Sequence, residues 1–150
     1  MSDLKIAQVP GKSEAQLTEI YNFNVQVFAD SQNFEWTKEN IKKEIKDGWK
    51  LFSVNVEKDI ICALFIKEIN GQLLTKNTPI KINYQGNGYS HLIKEFYEEY
   101  AKEKGLKTVI NYCPDDNFRM IALNEGHDYT KTGKTLKNAT NMIEWIKELK

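Results

Sequence analysis

The apolar positions of this 150-residue chain follow two periods, a short one and a long one. A period near 2 is typical of strands and one near 3.6 is typical of helices. Four segments of the first half predict strands: 4–9, 49–56, 59–69 and 72–82, of which 59–69 is nearly all apolar and is therefore expected to be central. Two segments with the long period predict helices that begin at Ser13, whose side-chain oxygen can cap a helix, and at Thr37. The first half is therefore predicted as a strand, two helices and a three-stranded antiparallel meander, with Asn70-Gly71 turning its second hairpin.

After residue 88 the long period returns and predicts an amphipathic helix from Tyr89 that ends at Gly105. A strand over 108–113 and a short helix ending near Gly126 follow. The tail predicts strands around 128–132 and 139–147, although the apolar positions of the second also fit a helix. A strand, a helix and a further strand in this order make the two strands parallel. The predicted fold class is α/β (α+β), a mixed, mostly antiparallel sheet flanked by helices.

The amino-acid composition limits the classes of molecule that the protein is expected to bind. Lys and Arg together number 21, as do Asp and Glu, so the net charge is zero and neither a nucleic-acid surface nor an anionic membrane is indicated. No apolar run reaches membrane-spanning length and no hydrophobic signal region is seen, so we expect one domain over 1–150 in the cytoplasm. Cys62 and Cys113 are expected to be reduced and buried. With two histidines and no ligand spacing, no metal site is expected.

The segment Tyr84–Ser90 (YQGNGYS) links the meander to the long helix. Asn87-Gly88 could turn a hairpin, but the residues beyond it have the helical period. Glycines at 86 and 88 let a ligand approach the backbone, and the first N–H groups of a helix lack partners and attract phosphate. A phosphate loop is therefore favoured over a turn. The third glycine of the dinucleotide fingerprint is replaced by His91, which disfavours a nucleotide-binding oxidoreductase.

Two segments together resemble the GNAT superfamily of N-acetyltransferases. Gln85, Gly88 and Ser90 occupy the defined places of its acetyl-CoA signature, Q/R-x-x-G-x-G/A. Downstream, residues 117–129 (NFRMIALNEGHDY) are similar to the family's N-x-x-A-I-x-L-Y-x-x-x-G-F. The predicted order of elements also agrees, so the resemblance covers essentially the whole chain. It implies a GNAT-like fold in which the two parallel strands splay apart, and transfer of an acetyl group from acetyl-CoA to a primary amine of a small molecule or peptide.

The resemblance also implies roles for residues along the loop. The N–H groups of residues 86–90 would hold the pyrophosphate, and the extended backbone of residues 80–82 would pair with the pantetheine arm. The N–H of Ile80 would polarise the thioester carbonyl. The implied cofactor-binding residues are Ile80, Lys81, Ile82, Gln85, Gly86, Asn87, Gly88, Tyr89, Ser90 and Asn117. No metal takes part, and the amine attacks the thioester directly.

Two positions depart from the family pattern. Asn124 stands where the family has the tyrosine that protonates the leaving thiolate. An amide is no general acid near neutral pH, but it can donate a hydrogen bond to sulfur. This departure keeps a second interpretation open, a non-catalytic acyl-CoA-binding sensor or scaffold. Asp128 replaces a late glycine, and Gly126 is expected to end the helix in its place.

The acceptor side is less well defined. Glu68 and Glu35 are candidate general bases, and each also fits a solvated surface charge. Phe34 and Trp36 are candidates for the wall of the acceptor site, or for core residues before the second helix. Tyr112 could face the splayed strands or pack in the sheet. Since many members of the family pair through their last strands, both a monomer and a homodimer stay open.

Overall fold

The computed structural model describes residues 4–11, 13–27, 37–137 and 139–149, with only the backbone for 23–27. The helices and strands, in chain order, are β1 Leu4–Gln8, α1 Glu14–Val27, α2 Lys38–Lys46, β2 Lys50–Val56, β3 Asp59–Ile69, β4 Gln72–Asn77, α3 Tyr89–Glu103, β5 Thr108–Pro114, α4 Phe118–Gly126, β6 Thr130–Leu136 and β7 Ala139–Glu148. A single 3₁₀ turn, Ile82–Tyr84, lies between β4 and α3. The predicted order and type of the elements are confirmed.

The chain folds as two compact units, of which the first covers residues up to 67 and 77–89. Its strands run β1-β2-β3, each antiparallel to the next. Helices α1 and α2 bury apolar side chains against them, which removes those side chains from water and stabilises the unit. This core contains Val9, Leu17, Ile20, Ile41, Leu51, Ala63 and Phe65.

The second unit covers 68–76 and the residues from 90 onward, and its strands lie in the order β4-β5-β7-β6. β4 and β5 are parallel, whereas β5–β7 and β7–β6 are antiparallel. The predicted fold class, mostly antiparallel with one parallel pair, is thus confirmed. The parallel pairing stops at Leu74 and Ile110, although β5 continues to Pro114. Beyond these residues the two strands are not paired with each other, which agrees with the expected splaying.

Two helices start at capping side chains, and the first of them starts at Thr37 as predicted. The Thr37 Oγ1 accepts a hydrogen bond from the Asn40 N–H (3.1 Å) at the start of α2. The Asn117 Oδ1 accepts one from the Met120 N–H (3.1 Å) at the start of α4. Each cap satisfies an N–H that has no partner within the helix.

The third strand of the meander is shorter than predicted. It ends at Asn77 rather than near Ile82, so the prediction of an extended backbone as far as Ile82 is wrong. The physical reason is Pro79, which has no N–H to donate to a neighbouring strand. The chain still follows β3 for four residues and then enters the 3₁₀ turn at Ile82, whose side chain is 81% exposed.

The tail resolves the ambiguity left by the sequence. Residues 139–148 form strand β7, paired with β5 from Thr108–Glu148 to Pro114–Met142. Strand β6 begins at Thr130, later than predicted. Asp128 has a φ of +66° and itself takes the left-handed conformation that the glycine pattern implies. Gly126 is the last residue of α4, so the expected end of the helix is confirmed, but Gly126 does not replace the missing glycine in conformation.

No helix in the described part of the chain is both long and apolar enough to cross a membrane.

Candidate acetyl-CoA and thiolate sites

The loop before α3 is held on one side by strand β3. The Thr78 N–H donates to the Ala63 carbonyl (2.9 Å) and the Lys81 N–H donates to the Ile61 carbonyl (2.8 Å). Pro79 has no N–H, and the Ile80 N–H has no partner among the described residues. Its expected contact with the thioester carbonyl stays a prediction.

Side chains within the loop fix its path. The Gln85 Nε2 donates to the Ile80 carbonyl (2.7 Å), and the Asn87 Nδ2 donates to the Tyr84 carbonyl (3.2 Å). Gly86 and Gly88 have φ values of +83° and +81°, a backbone conformation that residues with a Cβ rarely adopt. Two of the motif's residues thus shape the loop, and its two glycines allow the backbone to turn into α3.

The backbone N–H groups at the end of this loop have no hydrogen-bond acceptor within the described part of the chain. None of the N–H groups of residues 86–90 donates to another residue in the ranges that the structure describes. Gly86 and Asn87 are exposed, and an added Cβ at Gly86 would meet no atom within 4 Å. A run of free N–H groups at the positive end of a helix is an arrangement that favours an anion.

A second polar cluster connects α3, β5 and α4. Asn124, fully buried on α4, accepts two hydrogen bonds at Oδ1, from the Lys94 Nζ (2.9 Å) and the Asn111 Nδ2 (2.9 Å). Its own Nδ2 donates to the Asn111 Oδ1 (3.2 Å). Lys94 and Asn111 are also buried. We call these three residues the buried amide–lysine cluster.

Burial lowers the pKa of Lys94 to about 7 from its ordinary 10.5, because removal from water disfavours the charged form. The Lys94 Nζ also lies 4.2 Å from the centroid of the Tyr129 ring, close enough for a cation–π contact. Burial raises the pKa of both thiols, Cys62 and Cys113, to about 11, so neither is a nucleophile at neutral pH. The expectation that both cysteines are free and buried is confirmed.

The two histidines of the chain meet beside this cluster. The His91 Nδ1 lies 2.7 Å from the His127 Nε2, and the His127 Nδ1 lies 3.8 Å from the Glu98 carboxylate. Glu98 is also paired with Lys147 at 2.8 Å. Burial, and then the nearby His91, lowers the pKa of His127. Within the described ranges no group of three His, Cys, Asp or Glu side chains is arranged to hold a metal ion.

The remaining predicted residues fall in different places. Asn117 caps α4 with its side chain, so it holds the turn that precedes this helix. The Tyr112 hydroxyl donates to the Glu144 carboxylate (2.7 Å), and burial raises its pKa to about 12. Glu68 is exposed and accepts a hydrogen bond from the Tyr100 hydroxyl (3.0 Å). The candidates Phe34, Glu35 and Trp36 lie outside the described residues.

Sequence reasoning did not single out Lys94 or Asn111, although each breaks a pattern. Lys94 lies three residues before Tyr97 and seven before Ala101, on the buried side of α3. Asn111 alternates with Val109 and Cys113 on one buried face of β5. A charged or amide residue at an apolar register position is the signal that could have identified them.

Solved structures share this arrangement of elements. The ribosomal-protein-S18-alanine N-acetyltransferase from Escherichia coli matches with a TM-score of 0.73 at 13% identity, over 97% of this chain and 92% of that one. Forms of the spermidine/spermine N-acetyltransferase SpeG from Vibrio cholerae match with a TM-score of 0.75 at 14% identity, over 99% and 95%. An acetyltransferase of the GNAT family from Streptococcus pneumoniae matches with a TM-score of 0.69 at 15% identity, over 97% and 99%.

The chain has the GNAT fold. The predicted resemblance is thereby confirmed for the fold. No protein-family model matches the sequence, and no curated protein matches it either. The three-dimensional structure therefore shows the GNAT fold, which the sequence comparisons do not detect.

Proposed function

We propose that this protein transfers the acetyl group of acetyl-CoA to a primary amine of a small molecule or peptide. One observation carries the proposal: on a GNAT fold, the N–H groups of residues 86–90 have no partner in the described chain where the glycine loop enters α3. The acceptors in the names of the fold neighbours, a ribosomal-protein alanine and spermidine or spermine, are all amines. That likeness supports the reaction class and leaves the acceptor of this protein open.

The diphosphate of CoA suits the loop on electrostatic grounds. The first N–H groups of a helix carry about half a positive charge in total and point toward the incoming anion. Gly86 and Gly88 present these groups without a Cβ beside them. Gln85 and Asn87 hold the loop through their own hydrogen bonds and so reduce the entropy lost when the ligand binds.

The thioester carbonyl is assigned to the Ile80 N–H. This group has no partner in the described part of the chain, whereas the N–H groups of Thr78 and Lys81 are used by β3. As the amine attacks, negative charge develops on the carbonyl oxygen, and a fixed N–H donor stabilises it. The end of pairing between β4 and β5 after Leu74 and Ile110 supports an opening for the pantetheine arm beside β4.

In the reaction the amine nitrogen forms a bond to the carbonyl carbon, and the carbon–sulfur bond then breaks. The thiolate leaves with the electron pair of that bond, and the amine loses one proton to a base or to water. Asn124 is assigned to the thiolate. Of its two amide hydrogens, one is donated to Asn111 and the other has no acceptor among the described residues. The amide can therefore donate a hydrogen bond to sulfur without transferring a proton.

The acceptor amine must lose its proton before it attacks. An alkyl amine of pKa near 10.4 is neutral in only about one molecule in a few thousand at pH 7, so a base or a water path aids the reaction. Glu68 remains the proposed base in the described chain. Its exposure and its hydrogen bond from Tyr100 support a path through water better than direct contact.

The proposal is tested by incubating the protein with acetyl-CoA and a panel of amines, and measuring the free thiol of CoA released. The panel contains polyamines, amino acids and peptides with free N-termini. We expect at least one amine to raise CoA release well above the rate without amine, with the acetylated amine detected by mass spectrometry. Saturable acetyl-CoA binding without turnover on any amine would instead support the non-catalytic acyl-CoA-binding module.

A further inference from the structure

The two imidazoles between α3 and the end of α4 face each other directly. The His91 Nδ1 and the His127 Nε2 are 2.7 Å apart, the ring centres are 5.0 Å apart, and the ring planes differ by 32°. The two nitrogens therefore lie close to the line that joins the rings, at the spacing of a hydrogen bond with one hydrogen between them. Both partners are of the residue type that changes charge near neutral pH.

Glu98 determines which nitrogen of His127 carries a hydrogen when the ring is neutral. The His127 Nδ1 lies 3.8 Å from the Glu98 carboxylate, and the two side chains are 15% and 14% exposed. A carboxylate attracts an N–H and repels a lone pair, so the Nδ1 is the protonated nitrogen. The Nε2 is then the acceptor, and the His91 Nδ1 donates to it. The other oxygen of Glu98 is paired with Lys147 (2.8 Å), which holds the carboxylate in place.

This arrangement accepts one added proton but not two. When His91 gains a proton on its other nitrogen, its Nδ1–H still donates to His127, and the hydrogen bond becomes charge-assisted. When His127 is protonated as well, two N–H groups point at each other and neither ring offers a lone pair. The hydrogen bond is then replaced by repulsion between two cations.

The repulsion is large enough to separate the two protonation steps. At an effective dielectric constant of about 20, two unit charges 5.0 Å apart shift the second pKa by about two units. Water around the exposed His91 screens part of this effect. We therefore expect the two pKa values of the pair to differ by at least about one unit.

The charges around His127 act mostly in the same direction. Burial lowers the pKa of His127 most, followed by His91, and Lys94 on α3 and Lys147 on β7 add to this, whereas Glu98 on α3 raises it. Lys94 has a pKa of about 7, so it is charged at the more acidic pH at which the second proton binds. Three exposed carboxylates are near the pair along the chain, on α3, on α4 and just after α4: Glu95, Glu125 and Asp128.

From this geometry we propose that His91 and His127 form a pH-sensitive switch, which holds α3 to the end of α4 while the rings share a hydrogen and releases it when both are charged. The backbone N–H of His127 donates to the Leu123 and Asn124 carbonyls, at 3.2 Å each, in the last turn of α4. We expect release to open this turn to solvent. The switch needs no ligand, so it does not depend on the proposed function.

The test is a pH titration of both imidazoles by NMR, from two-bond ¹H–¹⁵N correlations of the ¹⁵N-labelled protein. Because the chain has two histidines, His91→Gln and His127→Gln each leave one imidazole and so assign the signals. In wild type we expect neutral His127 to carry its hydrogen on Nδ1, and both rings to respond to two steps. In His91→Gln the pKa of His127 should rise by about one unit or more, a tenfold change in its ionisation constant. Glutamine can donate or accept, so it favours neither charge state.

Hydrogen exchange at the end of α4 reports the release. The His127 and Tyr129 amides donate to the last turn of α4, and their protection is measured above and below the second step. After correction for the intrinsic exchange rate, we expect wild type to lose protection by on the order of tenfold below that step. His91→Gln should show no such step, because it has no second cation.

Glu95→Gln is the matched control. It removes an exposed charge one turn beyond His91 on α3, and should leave the separation of the two steps unchanged within a few tenths of a unit. Two results would overturn the inference: a pKa of each histidine that is the same with and without the other, or wild-type protection that does not change across the second step. Single-step titration of both rings in wild type would do the same, so the test stands if a variant does not fold.

Discussion

At the scale of single residues, Lys94 is expected to make stability depend on pH. Its pKa is about 7 in the folded protein and 10.5 in the unfolded chain, so between these values the unfolded state binds more protons. The free energy of unfolding therefore rises with pH in this window, by about 1.4 kcal/mol per pH unit from this group. Below pH 7 both states are protonated and the contribution becomes constant.

Lys94→Met removes this dependence. At neutral pH we expect the variant to be more stable than wild type, by on the order of a few kcal/mol, because an apolar side chain is not penalised by burial. The difference should shrink as pH rises toward 9 or so, which urea denaturation of both proteins at several pH values measures. Parallel pH profiles for the two proteins would contradict the burial of a titrating amine.

Asp128 offers a second prediction at this scale. Its φ of +66° is a strained conformation for a residue with a Cβ, although Asp tolerates it better than most. Asp128→Gly should raise the free energy of unfolding by about 0.5–1 kcal/mol, and Asp128→Ala should lower it. Thermal unfolding checks both. A loss of stability in the glycine variant would show that a contact of the Asp128 carboxylate stabilises the fold by more than the backbone strain destabilises it.

The residues of the site differ in how far the sequence could predict them. Gln85, Gly86 and Gly88 act through local backbone conformation, and a short motif records that conformation. Lys94, Asn111 and Asn124 are brought together from positions up to 30 residues apart. Their partnership follows from the packing of three elements, which no local pattern encodes.

At the scale of elements, the spacing of apolar residues predicts whether a segment is a helix or a strand better than it predicts where the segment ends. In residues 139–148 the buried side chains recur every third residue, a spacing that a helix would also show. The segment is a strand because it pairs with β5, which the spacing alone does not reveal. Pro79 ends β4 early through a missing N–H, while Leu74 and the rest of β4 follow the predicted alternation. The end of an element depends on single hydrogen bonds, whereas periodicity is a property of many residues together.

The α4 helix depends on its first residue. Asn117 caps it through a hydrogen bond from the Met120 N–H, so Asn117→Ala should lower the free energy of unfolding by about 1 kcal/mol. Asn117→Asp keeps an oxygen acceptor and should stay within a few tenths of a kcal/mol of wild type. Chemical denaturation compares the three proteins. Equal loss in both variants would mean that the amide nitrogen, and not the cap, is what matters.

At the scale of the whole molecule, the fold is recoverable from the sequence although its identity to the fold neighbours compared is only 13–15%. The order of elements, the loop at Gly86–Gly88 and the segment from Asn117 lie at separations that the GNAT fold requires. The acceptor is not recoverable in the same way. Its candidate wall, Phe34 and Trp36, lies outside the described residues, and no motif records which amine is bound.

The central claim is that backbone N–H groups at the start of α3 bind the diphosphate of CoA. Calorimetry of CoA binding to wild type, Gly88→Glu and Gly105→Glu tests it most directly. Gly88 and Gly105 lie at opposite ends of α3 with φ values of +81° and +71°, so each variant adds one carboxylate to a similar backbone conformation. We expect Gly88→Glu to lose at least tenfold in CoA affinity while staying folded, and Gly105→Glu to bind as wild type does. Unchanged affinity in Gly88→Glu, or equal loss in both variants, would contradict the account.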